Sequence, residues 1–147
     1  MNSLITSIAV KDLDGEDVDL IRLYREKVLL LMLYNNDCLG CTGRALPLAY
    51  EFQIQYPSIQ VTGIHADFPT REGTKENIKA VFRSGNNPFP IYIDQHHKVY
   101  EQFHAEGTPQ WLLITKNGEL YRSIFGSQDN AKNRLFYALE SLIGLDR

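Results

Sequence analysis

Cysteine is scarce in this sequence. There are two, Cys38 and Cys41, and no others. A structural zinc site normally takes four ligands, often from a second cysteine pair, and that second pair is missing. A disulfide between residues three apart would close too small a loop to constrain the unfolded chain much. Metal and cofactor sites are therefore not expected. Basic clusters are missing as well. The net charge is −3, and the 15 Lys and Arg form no stripe, so nucleic acid is not the expected partner. The longest apolar run, residues 28–34, is far too short to cross a bilayer, and no membrane partner is expected. Residues 1–8 have neither a basic flank nor a long apolar core. They do not read as a signal peptide, and a cytoplasmic location is expected unless a leader has already been removed. Repeats, low-complexity tracts and linkers are absent, which leaves one domain over residues 1–147. Its 44% hydrophobic and 22% charged residues are an ordinary globular balance.

The two cysteines sit in Tyr34-Asn35-Asn36-Asp37-Cys38-Leu39-Gly40-Cys41-Thr42, directly after that apolar run. The run suits a central strand covered on both faces. Residues 41–56 read as a helix, with Leu46, Ala49, Tyr50, Phe52 and Ile54 on an imperfect apolar face and a kink at Pro47. A thiol pair thus falls where a buried strand hands over to a helix N-terminus. Such an end carries roughly half a positive charge and several unpaired N–H groups, which favour thiolate over thiol. Cys38, nearer solvent, is expected to be the attacking thiolate. Cys41, one turn inside, is expected to be the resolving thiol. Two incidental core cysteines are the bland alternative, and the strand-to-helix placement argues against it.

Before this stretch, the alternation of Ile5, Ile8, Val10, Val18 and Leu20 around Asp14-Gly15 predicts a small hairpin. A charged connection over 21–27 has room for one helical turn. After it come a strand at 60–65, a loop over 67–73 holding Pro69, and a helix over 74–83. Thr74 is placed to cap that helix, Asn77 takes the position where Glu or Gln completes a capping box, and Ile78, Val81 and Phe82 are expected to face inward. A strand follows at 89–93, then a short helix over 97–103. Gly107-Thr108-Pro109 leads into a strand at 110–114, and Lys116-Asn117-Gly118 turns it into another at 119–124. Residues 129–143 form a final helix with Leu135, Phe136, Leu139, Leu142 and Ile143 inward. Tyr34, Phe89 and Trp111 read as core or groove lining. Alternating strands and helices followed by a hairpin give an α/β class with a mixed sheet and helices on both faces.

This order resembles the thioredoxin-like superfamily, and more closely the TlpA/ResA-type thiol-disulfide oxidoreductases, a redoxin group related to AhpC/TSA proteins. Asp12-Leu13-Asp14-Gly15 with Val18 and Leu20 resembles the family's N-terminal β-hairpin. Cys38-x-x-Cys41 followed by Pro47 resembles its active-site helix. Residues 74–93 resemble its central α-β insertion, and Gly107-Thr108-Pro109 with Asn117-Gly118 its proline loop and final hairpin. The resemblance implies a three-layer α/β/α fold with a mixed central sheet. It implies a cis Pro109 facing the disulfide, with Gly107, Thr108 and Pro109 presenting backbone groups to a bound substrate chain. It implies exchange of protein disulfides through the Cys38/Cys41 dithiol, in the reducing direction if cytoplasmic, recharged by a thiol reductant and carried out by a monomer.

Three departures from the family stand out. Asp37 takes the place of a tryptophan and sets a like charge beside any thiolate. Residues 28–33 lack the acid that thioredoxins bury near their cysteines. Pro47 falls one residue late, which predicts a shift in helix register. Two rival functions are weighed. A peroxiredoxin needs Pro-x-x-x-Thr-x-x-Cys, and neither frame fits: Leu31 and Asn35 precede Cys38, and Tyr34 and Cys38 precede Cys41. A copper-binding thioredoxin-like protein would add His65, His97 or His104 to the thiolates. The usual carrier spacing of three residues between cysteines is absent, and all four histidines, His96 included, default to surface or hydrogen-bonded roles.

Overall fold

The computed structural model describes residues 3–67, 73–82 and 84–145. Pro69, inside the expected loop, and Arg83, at the end of an expected helix, lie outside the described residues. One eight-stranded sheet organises the chain, in the order β1-β8-β7-β4-β5-β6-β2-β3. Its centre is β4 (Leu29–Tyr34), all six residues of which are buried. β4 is parallel to β5 (Gln60–Ala66) and antiparallel to β7 (Gln110–Ile114). β5 is parallel to β6 (Ile91–Asp94), and β7 is antiparallel to β8 (Glu119–Phe125). The mixed sheet follows from the sequence order: helical crossovers allow parallel pairing, and a tight turn forces antiparallel pairing. That turn uses Gly118 at φ +85°, a conformation only glycine takes at no steric cost.

The expected hairpin is β2 (Ala9–Lys11) with β3 (Asp17–Asp19), and β2 adds to the far edge through β6. The opposite edge carries β1 (Ser3–Leu4), a short strand paired with β8 that the alternation did not single out. The connection after β3 holds one helical turn, α1 (Leu20–Leu23), capped by the Asp19 carboxylate, which accepts from Ile21 N–H.

Alternation along β4 divides the core in two. Leu30, Met32 and Tyr34 meet α2 (Leu46–Gln55), α5 (Asp129–Leu145) and α3 (Lys75–Ala80) on one face. Leu29, Leu31 and Leu33 pack with Leu20, Val99 and Phe103 on the other, where α1 and α4 (Lys98–Gln102) lie. The result is the three-layer α/β/α arrangement.

Four residues expected to face inward do not. Tyr50, Ile54, Val81 and Phe136 are 43%, 66%, 39% and 36% exposed. The buried stripe of α2 runs through Ala45, Leu48, Ala49, Phe52 and Tyr56, so Tyr50 and Ile54 share the flank beside it. α3 ends at Ala80, leaving Val81 past its last turn. On α5, Ala131, Leu135, Ala138, Leu139 and Leu142 fill the stripe, and Phe136 sits about 100° away from Leu135.

The Pro47 displacement has a definite structural consequence. Residues 39 and 40 are already helical, and Cys41–Ala45 form a single π-helical turn before α2 continues. Leu46 N–H bonds to the Cys41 carbonyl, five residues back instead of four. A π turn takes up one extra residue without ending the helix, and it removes the crowding that a proline ring imposes on the carbonyl four residues earlier. The register shift is therefore absorbed upstream of Pro47, between the cysteines and the rest of the helix.

Candidate active site

The helix starts two residues earlier than the sequence pattern suggests, and this puts Cys38 at its N-cap. The Cys38 sulfur takes the place of a capping oxygen: Cys41 N–H donates to Cys38 Sγ at 3.2 Å. That contact holds the sulfur at the helix start. Cys38 is half-buried and Cys41 is buried, and both are free thiols. Burial, with the Cys38 sulfur as its neighbour, pushes the Cys41 thiol up to about 12.

Opposite Cys38 lies the proline loop. The Thr108–Pro109 peptide bond is cis, and the Cys38 thiol donates to the Thr108 carbonyl at 3.4 Å. The structure thus brings Cys38, Cys41 and Thr108 together, with Pro109 buried beside them and Gly107 half-buried one residue further. Trp111, two residues on, is fully buried. It donates from Nε1 to the Gly126 carbonyl at 2.8 Å and shares a core with Cys41.

The loop before Cys38 is fastened by groups that the sequence pattern did not mark as functional. Cys38 N–H donates to the Asn35 carbonyl at 3.1 Å. Asn35 is buried; its Nδ2 donates to the Ala66 carbonyl at 2.8 Å, and its Oδ1 accepts from Asp37 N–H at 2.8 Å. Asn36 N–H donates to His65 Nε2 at 3.2 Å, and Asn36 Nδ2 to the Asn77 carbonyl at 2.9 Å. His65 Nδ1 lies 2.8 Å from Asp67 Oδ1, and both side chains are buried. The signal available in the sequence was two asparagines after an apolar strand, and a His-x-Asp ending the next.

Tyr34 closes the floor of the site. Its ring meets His65 edge-on at 5.4 Å, and its buried hydroxyl has no hydrogen-bond partner among the described residues. Burial first, and the nearby Cys41 second, raise its phenol above the ordinary range. Where thioredoxins bury an acid near the cysteines, β4 ends instead in this phenol.

The histidines considered as copper ligands do not gather at the thiols. His65 is committed to Asn36 and Asp67, and His97 stacks on Tyr100 at 4.6 Å. Among the described residues, no group of three His, Cys, Asp or Glu is placed to hold a metal ion.

A mixed sheet between helical layers, with a Cys-x-x-Cys helix start facing a proline loop, defines a thioredoxin-like protein. The chain belongs to the AhpC/TSA family, which it matches over residues 2–123. It is 23% identical to the thioredoxin-like protein SkfH of Bacillus subtilis over 101 residues, covering 67% of this chain and 68% of that one. Among solved structures it is similar to a thiol-disulfide isomerase from Corynebacterium glutamicum, with a TM-score of 0.78, 23% identity and 96% of each chain covered. It also resembles the exposed lipoprotein thioredoxin Etrx1 of Streptococcus pneumoniae, with a TM-score of 0.73 and 19% identity. That match covers 93% of this chain and 100% of the other.

Proposed function

We propose that this protein is a thiol-disulfide oxidoreductase that reduces disulfides in protein substrates. The observation that carries the reading is the setting of Cys38: a half-buried sulfur that accepts the Cys41 amide and faces the Thr108 carbonyl, with a buried second thiol one turn behind.

In the forward reaction the Cys38 thiolate attacks one sulfur of a substrate disulfide. A bond forms between that sulfur and Cys38 Sγ, and the other substrate sulfur leaves as a thiolate and takes up a proton. Cys41 then loses its proton and attacks Cys38 Sγ. The Cys38–Cys41 disulfide forms, and the second substrate sulfur is released as a thiol. Two electrons have passed to the substrate, and an external thiol reductant restores the dithiol. Gly107, Thr108 and Pro109 line the approach to Cys38. Once the Cys38 thiol no longer holds the Thr108 carbonyl, that carbonyl is available to a substrate amide. We place the protein in the cytoplasm as a monomer, where the glutathione poise drives exchange in the reducing direction.

The test is turnover of insulin and of a chromogenic disulfide, run beside peroxide consumption. Disulfide reduction that disappears in Cys38→Ser supports the reading. Peroxide consumption without disulfide reduction would replace it with a thiol peroxidase. A redox titration against glutathione then fixes the direction.

A further inference from the structure

We infer that His65, oriented by Asp67 with its ring proton on Nδ1, is a positioning residue that sets the Cys38 sulfur against the Cys41 amide. The inference rests on the reading of Cys38 as the attacking thiolate and adds to it the device that keeps the cysteine in place.

Asn36 N–H points at His65 Nε2, so that nitrogen presents its lone pair. The ring proton then sits on Nδ1, which faces Asp67 Oδ1 at 2.8 Å. Asp67 is itself fixed by Gly73 N–H at 2.8 Å. The packing leaves no slack: a Cβ on Gly73 would stand 2.7 Å from His65 Nδ1 and 3.0 Å from Asp67 Oδ1. Tyr34, opposite His65 in the β4–β5 register, blocks the ring with an edge-on contact.

Such an acceptor is needed because Asn36 lies between the end of β4 and the helix start. Its half-buried amide faces β5, where an N–H left without an acceptor costs stability. The acceptor it meets there is His65 Nε2 at 3.2 Å, while the strand-end carbonyl of Ala66 takes the Asn35 side chain. His65 supplies the acceptor from a strand, and a strand is a rigid support. Two residues later the chain reaches Cys38, whose sulfur meets the Cys41 amide at 3.2 Å. If the Asn36 anchor is lost, the turn over 35–38 loosens, and the sulfur spends less time seated on the Cys41 amide in the position from which it reacts. Side-chain precision of this kind depends on the second layer of contacts as much as on the reacting group itself.

The test uses the full chain, reduced, with Cys38 alkylation by iodoacetamide at pH 7 followed by mass spectrometry. Two variants separate positioning from packing. His65→Leu removes the acceptor. His65→Gln places an amide oxygen where Nε2 stood and gives up the Asp67 contact. Alkylation of Cys38 is expected to fall about threefold or more in His65→Leu and to stay within about twofold of the parent in His65→Gln. An unchanged rate in His65→Leu overturns the inference. So does an equal fall in both variants, which is what a purely structural role produces. Nitrogen-15 NMR of the parent's histidines gives a second reading that needs no variant. His65 with its proton on Nδ1 supports the inference, and a proton on Nε2 refutes it even if His65→Leu fails to fold. Alkylation does not require turnover, so this result stands apart from the disulfide assay. Loss of exchange activity in the parent would sink the functional reading alone.

Discussion

The backbone amide of Cys41 lies 3.2 Å from the sulfur of Cys38 and donates to it. That bond makes the first cysteine the cap of its own helix and leaves the second buried behind it. The division of labour between the two thiols follows from it. Cys38→Ser should reduce turnover of a chromogenic disulfide to background. Cys41→Ser should trap substrate on Cys38 as a mixed disulfide, visible on a non-reducing gel and released by dithiothreitol. A Cys41→Ser protein that turns over normally would rule out the resolving role.

Burial pushes the Cys41 thiol up to about 12, so at neutral pH it is almost wholly protonated. The thiolate fraction then grows about tenfold for each pH unit below that value. Resolution of a preformed mixed disulfide should therefore quicken about tenfold per unit between pH 7 and 9, as read by stopped flow. The same shift has a stability sign. The folded value lies above the unfolded one of about 8.5, so the contribution is complete below about pH 8.5 and is lost as pH rises toward the folded value. Cys41→Ala should lack that alkaline loss in thermal unfolding.

Asp94 is fully buried at the end of β6 and accepts from the N–H groups of Val99 and Tyr100 at 2.8 and 2.9 Å. Burial raises its carboxyl above the ordinary carboxylate value, partly offset by those two amides. The folded value lies above the unfolded one of about 3.9, so the stability linked to it is greatest below that pH and falls as pH rises through the folded value. Asp94→Ala leaves two amides unmet and should cost roughly 2 kcal/mol in urea unfolding at pH 7. Asp94→Asn keeps one acceptor and sheds the buried charge but turns its NH2 toward the other amide, and should cost about half as much, roughly 1 kcal/mol.

Gly73→Ala should destabilise the fold by about 1–3 kcal/mol, because its Cβ meets a histidine nitrogen at 2.7 Å and a carboxylate oxygen at 3.0 Å. Denaturant titration measures it. A neutral substitution would mean that His65 is free to move.

Trp111 reports on the dithiol. It lies fully buried in the core that contains Cys41, with Phe52 edge-on at 6.2 Å. Its fluorescence should differ between the reduced and oxidised forms of the parent and stay constant in Cys38→Ser. Identical spectra in both redox states of the parent would count against that proximity.

The local plan was legible because it depends on patterns that any chain of this composition must obey. An unbroken apolar run reads as a buried strand. Asn117-Gly118 between alternating segments reads as a hairpin, and Thr74 caps its helix as its residue type predicts, with Asn77 closing the capping box from the position where Glu or Gln is usual. The inward faces were legible less reliably. Tyr50, Ile54 and Phe136 are apolar enough to be buried, and only the direction from which the sheet covers each helix decides that they are not.

What the sequence determined alone is the cysteine pair, its place after a central strand, and a proline six residues after the second cysteine. Chemistry, strand propensity and the missing proline N–H are all local properties. The tertiary structure decided how those parts are used. It absorbed the displacement in a π turn, seated Cys38 on the helix end, and brought Thr108 from seventy residues away to face it. It also placed His65 and Asp67 under the Cys38 loop. Contacts of that kind join residues far apart in the chain, and only the packing of strand on strand brings them within hydrogen-bond reach.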